Sequence, residues 1–309
     1  MSQHEAALAA EFVTRQGVTT TRRLARIGIG RRAVDALVRS RRVRRLGTGV
    51  LVAVAWPDTL EHRMAIACAV TGGVVCYPTA GEAWQLRKSE RDPDVHVWMT
   101  PAQRARAIPG VRIHVTRHLP DTDVVHRDDG IAVTSPPRTA VDAAARLNAE
   151  DLESLVESGI DKHYFLITTL QRIALATRAQ GRAGSVRLGR VIASRPAWQR
   201  AVRSDHELVL QRAMRDRGFP ELVREHRVVL YDGEVIRPDL GIPGDNFFVE
   251  VDHLTWHGRK GTSANDRRRD LKARASGYWI ERVSDIALSS DLDNTIEALW
   301  MAWQRAIAC

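Results

Sequence analysis

The stretch at residues 236–258, IRPDLGIPGDNFFVEVDHLTWHG, places acidic side chains on two segments that otherwise read as apolar strands. Side chains on a strand alternate between its faces, so Glu250 and Asp252 point the same way. The short IPGDN connection lets the two strands pair, which brings Asp239 beside Glu250 across the ladder. Acids gathered on an apolar hairpin are destabilising unless they are paired, and these strands carry no basic partners for an ion-pair network. We therefore expect a cation to neutralise them.

Carboxylate oxygens on rigid strands suit Mg²⁺, which takes one or two carboxylates together with waters and phosphate oxygens. The sequence predicts a site for Mg²⁺, or Mn²⁺ in its place, formed by Asp239, Glu250 and Asp252. An ion held there can activate a water and stabilise the charge that builds on a phosphodiester during displacement. The predicted chemistry is phosphodiester hydrolysis.

The segment around these acids has the pattern of a complete small domain. A capped amphipathic helix, three strands, an arginine-rich helix, a further strand and a closing helix follow one another from residue 203 onward. We expect residues 201–309 to form an α/β domain of this element order.

Four motifs in this domain occur in a fixed order: RPDL at 237–240, the strand FFVEVDH, Trp256-His257, and DRRRDLKARASGYW at 266–279. Together they resemble the PD-(D/E)xK nuclease superfamily, and within it the very-short-patch repair endonuclease-like branch. The resemblance implies a restriction-endonuclease-like fold in which Asp239 and Glu250 are metal-binding acids. Asp252 stands where the superfamily usually has lysine, a departure that the very-short-patch relatives share.

The resemblance also implies roles for residues outside the acid trio. His257 corresponds to a general base or a ligand of the hydrated ion, Asp266 to an acid that orients this histidine, and Glu207 to a first-helix acid beside the metal. The cysteine-bearing zinc site of the repair enzymes has no counterpart in this sequence, so the resemblance does not imply mismatch recognition for this protein.

Each of these residues also has an ordinary structural interpretation. Glu207 completes a capping box with Ser204, and Asp266 suits the first turn of a helix. Arg267, Arg268 and Arg269 form either a phosphate clamp or a solvated helix face.

The N-terminal segment carries the positive charge of the chain. The sequence has 46 Lys and Arg against 37 Asp and Glu, and between residues 15 and 45 eleven arginines accompany one acid, Asp35. Residues 1–56 read as three helices and a hairpin, the order of a winged helix-turn-helix. We expect the third helix to turn Val34, Leu37 and Val38 inward and its arginines outward. The predicted DNA-binding residues are Arg22, Arg23, Arg31, Arg32, Arg39 and Arg42, and the alternative is a solvated basic face on a small bundle.

The sequence of residues 57–200 predicts a mixed α/β domain with a helical linker. A strand runs through Pro136 and Pro137 into a helix, and Arg138 and Asp142 lie four residues apart as a surface pair would. The scattered histidines His114, His118 and His126 are interpreted as ordinary structural residues. With the N-terminal segment, the motifs VVCYPTAGEAWQL and DGIAVTSPPRTAVDAAARL resemble the abortive-infection type IV antitoxin family, over about residues 5–160. That resemblance implies a DNA-binding front end, acting at its own promoter.

The predicted protein is thus a multidomain α/β, metal-dependent DNA endonuclease with an N-terminal DNA-binding domain. The competing hypothesis is a non-catalytic transcriptional regulator or antitoxin with a degenerate nuclease-like domain, and further candidate partners are a second copy and a cognate toxin protein. No run approaches the ~20 apolar residues of a membrane span, and the first residues lack the pattern of a signal peptide, so a cytoplasmic location without membrane contact is expected. Three cysteines, Cys68, Cys76 and Cys309, are too few for a disulfide framework or a zinc site.

Overall fold

The computed structural model describes residues 3–103, 108–179, 183–195, 204–252 and 263–308. The fold is mixed α/β, as predicted, with thirteen α-helices and four sheets within these ranges. The chain divides into two compact units, Met1–Ser194 and Arg195–Cys309. Among the described helices, none has the length and apolar character needed to span a membrane.

The N-terminal part of the first unit has three helices and a small antiparallel sheet. Strand β1 was not predicted; it pairs with β3 at Val18 and Val52. The sheet order is β1-β3-β2, and Gly49 adopts a positive φ of 74° in the turn before β3. The elements are α1 (Gln3–Thr14), β1 (Val18–Thr20), α2 (Thr21–Arg26), α3 (Arg31–Arg39), β2 (Val43–Arg45) and β3 (Val50–Ala53).

The core under this sheet is apolar. Leu24 of α2, Val34 of α3 and Leu51 of β3 are buried together, and Leu37 and Val38 pack against them. The inward face predicted for α3 is therefore correct, and its arginines are left on the outside because the apolar residues recur at helical spacing.

The remainder of the first unit is a five-stranded mixed sheet with helices. Its strand order is β6-β5-β4-β8-β7, with β5 parallel to β6 and β4 parallel to β8. The predicted passage from a strand into a helix at Pro136 is confirmed. The elements are α4 (Leu60–Thr71), β4 (Val74–Val75), α5 (Thr79–Ala83), β5 (Val95–Met99), β6 (Val111–Val115), β7 (Val124–His126), β8 (Ala132–Thr134), α6 (Pro136–Ala143), α7 (Ala149–Asp161), α8 (Ile167–Ala179) and α9 (Ser185–Ala193).

The surface pair predicted for Arg138 and Asp142 is wrong, because Arg138 is fully buried. Its Nη1 donates to Asp123 at 2.6 Å and its Nε donates to Asp142 at 2.9 Å. Asp142 also accepts the indole N–H of Trp98 at 2.8 Å. The spacing of four residues is the same on an exposed and on a buried helix face, so only the packing of α6 on the sheet decides between them.

The second unit contains a four-stranded sheet of order β14-β13-β12-β9 and a separate hairpin, β10–β11. Strands β12 and β13 are antiparallel, while β14 returns parallel to β13 after α11. Short α12 was not predicted. The elements are α10 (Asp205–Arg217), β9 (Val223–Arg224), β10 (Val228–Val229), β11 (Val235–Ile236), β12 (Leu240–Ile242), β13 (Phe247–Asp252), α11 (Ser263–Ala275), β14 (Trp279–Ser284), α12 (Asp285–Ser290) and α13 (Leu292–Ala308).

Strand β13 is apolar on one face and mixed on the other. Phe247, Val249 and Val251 pack in a core that includes residues of α10 and α13. Phe248, on the opposite face, packs with Ala273 of α11 and with the β10–β11 hairpin. Because side chains alternate, Glu250 and Asp252 share the face of Phe248. The two acids therefore lie on the side of the sheet that α11 covers.

Candidate functional site

The candidate site lies on the β12–β13 pair, where the predicted acids are found. Leu240 pairs with Val249, so the residue before β12, Asp239, lies opposite Glu250 in the same register. The Oδ2 atom of Asp239 accepts a hydrogen bond from the backbone N–H of Val251 at 2.8 Å. This bond holds the Asp239 carboxylate against β13.

Glu250 is the centre of the site. Its side chain is only 13% exposed, and both of its oxygens accept from Nη2 of Arg269, at 2.9 and 2.7 Å. Nη2 of Arg282 approaches the same carboxylate at 2.8 Å. Burial raises the pKa of Glu250, the two guanidinium charges oppose that rise, and the negative charges of Asp239 and Asp270 add to it. The net result is a raised pKa.

Arg282 connects the acids to one another. It pairs with Glu250 in the parallel register of β13 and β14, and its side chain also reaches Asp252 and Asp270, each at 3.2 Å. Burial alone would lower the pKa of Arg282, but its bond to Asp270 and the nearby carboxylate charges raise it well above the ordinary value. The expectation that the acids lack basic partners is therefore wrong. The partners come from β14 and α11 rather than from the hairpin itself.

We call this group the acid–arginine cluster. Among the described residues it contains four carboxylates and two guanidinium groups. The Nε of Arg269 is buried without a hydrogen-bond partner among the described residues. The members of the cluster are Asp239, Glu250, Asp252, Asp270, Arg269 and Arg282.

The donor chemistry of the cluster fits a hard divalent cation only in part. Within the part of the chain that the structure describes, no three His, Cys, Asp or Glu side chains are grouped so that they could hold a metal ion. Asp252 contacts Arg282, and the three-carboxylate site stays a prediction. Asp239 and Glu250 remain as a pair of oxygen donors, which is the number that Mg²⁺ commonly uses alongside waters and phosphate oxygens.

Of the other residues predicted for this site, the structure describes the side chains of Glu207 and Arg268. The backbone N–H of Glu207 donates to Ser204 at 3.2 Å, and the Ser204 hydroxyl donates to the Glu207 carboxylate at 3.0 Å, which is the capping contact. Arg268 is exposed on α11. His257 and the side chains of Asp266 and Arg267 lie outside the described residues.

The predicted DNA-binding arginines are mostly on the surface. Arg23 is half-buried, beside Arg15 and Asp129 in a cleft of about 140 Å³. Arg42 lies 3.6 Å from Glu5, and Asp35, the single acid of the segment, is engaged by Arg45 at 2.6 Å. The exposed members of the predicted set are Arg22, Arg31, Arg32, Arg39 and Arg42.

Sequence reasoning missed Arg282 and Asp270 as members of the site, and it considered Arg269 only as part of a phosphate clamp or a solvated helix face. Arg269 and Asp270 lie in the DRRRD motif, so the motif itself was a usable signal. Arg282 belongs to a strand that no short-range pattern links to β13. The parallel pairing of the two strands places it opposite Glu250.

Comparison with known proteins adds little to this description. No protein-family model matches the chain, and the search of curated proteins found no match. One solved structure with weak similarity is the crystal structure of the Rv2827c protein from Mycobacterium tuberculosis, at 17% identity and a TM-score of 0.42. The match covers 63% of this chain and 78% of that chain.

Proposed function

We propose that this protein is a divalent-cation-dependent DNA endonuclease whose hydrolytic site is the acid–arginine cluster. The observation that carries the proposal is the register of β12 and β13, which sets Asp239 opposite Glu250, a largely buried carboxyl group with a raised pKa. A divalent cation between the Asp239 and Glu250 carboxylates would stabilise the ionised form of both.

Asp239 and Glu250 are the residues that would hold the cation. An ion held by these two residues would supply an activated water and would stabilise negative charge on the phosphodiester. The chain's own contribution is orientation: the Val251 N–H fixes the Asp239 carboxylate, and Arg269 and Arg282 fix Glu250. The Nε of Arg269, which has no hydrogen-bond partner in the described part of the chain, is a donor suited to a phosphate oxygen, because guanidinium groups match the geometry of phosphates. His257 remains the proposed general base.

The proposed DNA-docking element is the N-terminal segment. Its order of helices and strands, with a β2–β3 hairpin after α3, is the one expected of a winged helix-turn-helix. The exposed Arg31, Arg32 and Arg39 of α3 would face the major groove, and Arg22 and Arg42 would contact phosphates. The cluster in the second unit would then act on DNA that the first unit retains.

Metal-dependent cleavage tests the proposal. Purified protein is incubated with supercoiled plasmid and Mg²⁺ or Mn²⁺, and the same assay is run with Asp239→Asn and Glu250→Gln. We expect cleavage by the wild type and a loss of at least about 100-fold in each variant, as for groups that stabilise charge in the transition state. Glu281→Gln is the matched control, because Glu281 lies on the adjacent strand and bonds Trp279. Equal activity of Glu250→Gln and wild type would contradict the assignment.

Docking is tested separately by DNA retardation at several salt concentrations. Arg31→Ala and Arg32→Ala should weaken binding, because each removes a side chain that would enter the major groove. Arg22→Ala and Arg42→Ala should also lower the salt slope by about one each, because each residue would neutralise a phosphate. Arg190→Ala removes an exposed arginine of α9 and should leave binding unchanged. Unchanged DNA binding by both α3 variants would show that α3 is not part of the interface.

A second candidate function is a non-catalytic DNA-binding regulator or antitoxin. The observation that favours it is the engagement of both Glu250 oxygens by guanidinium groups, which is a closed ion-pair network in the described arrangement. In that case DNA retardation persists and no divalent ion produces cleavage. A homodimer and a cognate toxin are the further partners proposed under this reading, and size-exclusion measurements with and without DNA test the dimer.

A further inference from the structure

A second polar group lies in the first unit, away from the acid–arginine cluster. His96 and Trp98 share one face of β5, and Trp98 pairs with His114 of parallel strand β6. The opposite face of β5 carries Val95 and Val97, which belong to an apolar core. The sheet therefore presents a polar, aromatic face on one side and an apolar face on the other.

The histidine pair, His96 and His114, is joined to Asp92 in a chain of hydrogen bonds. A carboxylate can only accept, so His96 Nε2–H donates to Asp92 at 3.0 Å and leaves His96 Nδ1 as an acceptor. His114 Nε2–H consequently donates to His96 Nδ1 at 3.0 Å. Burial lowers the pKa of both histidines and keeps them neutral near pH 7. The remaining nitrogen of His114, Nδ1, is then an acceptor.

His114 and Trp98 line a cavity of about 310 Å³ between the sheet and the end of α6. This volume is at the lower end of the range for small-molecule sites, about 300–1,000 Å³. The indole of Trp98 is held in place by its bond to Asp142, and Tyr77 and Val141 complete the apolar wall. The aromatic surface is therefore positioned before any ligand arrives.

The charged groups at the cavity wall are already paired. Asp142 accepts from the buried Arg138, and Arg146 contacts Glu90 at 2.6 Å. Burial raises the pKa of Tyr77 to about 12, so its hydroxyl is neutral. A strongly charged ligand would have to break one of these pairs, whereas an uncharged ligand would not.

We propose that this cavity binds an uncharged, planar nitrogen heterocycle of nucleobase size, with its ring against Trp98 and an N–H group donated to His114. The aromatic wall recognises the ring, since aromatic pairs gain from stacked or edge contacts. The fixed tautomer of the histidine pair selects a donor on the ligand rather than an acceptor.

Isothermal titration of the full chain with adenine, cytosine, indole, naphthalene and adenosine monophosphate tests this site. We expect the three uncharged N–H compounds to bind with Kd values below about 1 mM, and naphthalene and the charged nucleotide to bind at least about tenfold more weakly. No binding of any heterocycle would overturn the proposal. Naphthalene binding as tightly as indole would overturn the role of His114.

Two variants locate the binding. Ala145→Trp fills the cavity from an exposed position and should abolish binding, whereas Ala149→Trp, at an exposed alanine outside the cavity, should not. His114→Phe should weaken heterocycle binding by at least about tenfold, with His126→Phe on β7 as its control. Wild-type binding by Ala145→Trp would show that the ligand is held elsewhere and would overturn the assignment.

Discussion

The substitution Arg282→Met removes the residue that connects the acid–arginine cluster, so its effect on stability measures how much the cluster depends on it. Arg282 approaches Glu250 at 2.8 Å and Asp252 and Asp270 at 3.2 Å each. Removing one partner of a buried ion pair costs about 3–5 kcal/mol. The Arg282 side chain is 22% exposed and Arg269 still holds Glu250, so we expect a loss of about 2–3 kcal/mol.

Urea denaturation at pH 7 and pH 5 measures this loss, with Arg268→Met as the control on an exposed arginine of α11. Glu250 has a raised pKa in the folded protein, so its favourable contribution is complete below its unfolded value and is lost as pH rises through the folded value. Without Arg282 the pKa of Glu250 in the folded protein rises further, so the destabilisation caused by ionised Glu250 grows with pH. The difference in free energy of unfolding between Arg282→Met and the wild type should therefore be smaller at pH 5 than at pH 7.

Mg²⁺ provides a second readout on the same variant. If the cluster holds a cation, removing a competing guanidinium should make added Mg²⁺ stabilise Arg282→Met more than the wild type, by up to about 2.7 kcal/mol at a hundred times the Kd. A stability loss below about 0.5 kcal/mol, or a loss independent of pH, would refute the reasoning about the cluster. Equal responses to Mg²⁺ would count against the cation.

Three further outcomes follow from the packing of each unit. Gly241→Ala should destabilise the protein by about 1–3 kcal/mol, because its Cβ would overlap the ring of Phe248, whereas Gly244→Ala has open space and should be nearly neutral in urea denaturation. Arg138→Leu should lower the free energy of unfolding by about 3–5 kcal/mol in the same assay, because it leaves the Asp123 and Asp142 carboxylates without their buried partner. An unchanged stability would mean that water hydrates these two carboxylates in the variant. The histidine pair has lowered pKa values, so its stabilising contribution is present above the unfolded value of 6.5 and is lost as pH falls below it. The thermal unfolding temperature should therefore fall between pH 7.5 and pH 5.5. In His96→Gln this dependence on pH should be weaker.

The predictions from sequence were most accurate where a local pattern is enough. Val34, Leu37 and Val38 recur at helical spacing, and α3 turns them inward. Pro136 begins α6, since proline suits a first helical turn. Strand β1 was missed because three residues carry too little periodicity, and its extended form depends on pairing with β3.

By itself, the sequence determined that Glu250 and Asp252 share one face of a strand and that a short loop brings Asp239 beside them, because strand alternation and loop length are local properties. Only the tertiary structure decided what neutralises these acids. The parallel return of β14 after α11 brings Arg282 opposite Glu250, and α11 brings Arg269 to the same carboxylate. The burial of Arg138 and the joining of His96 to His114 have the same origin, since contacts between distant segments depend on register and packing that no nearby residue encodes.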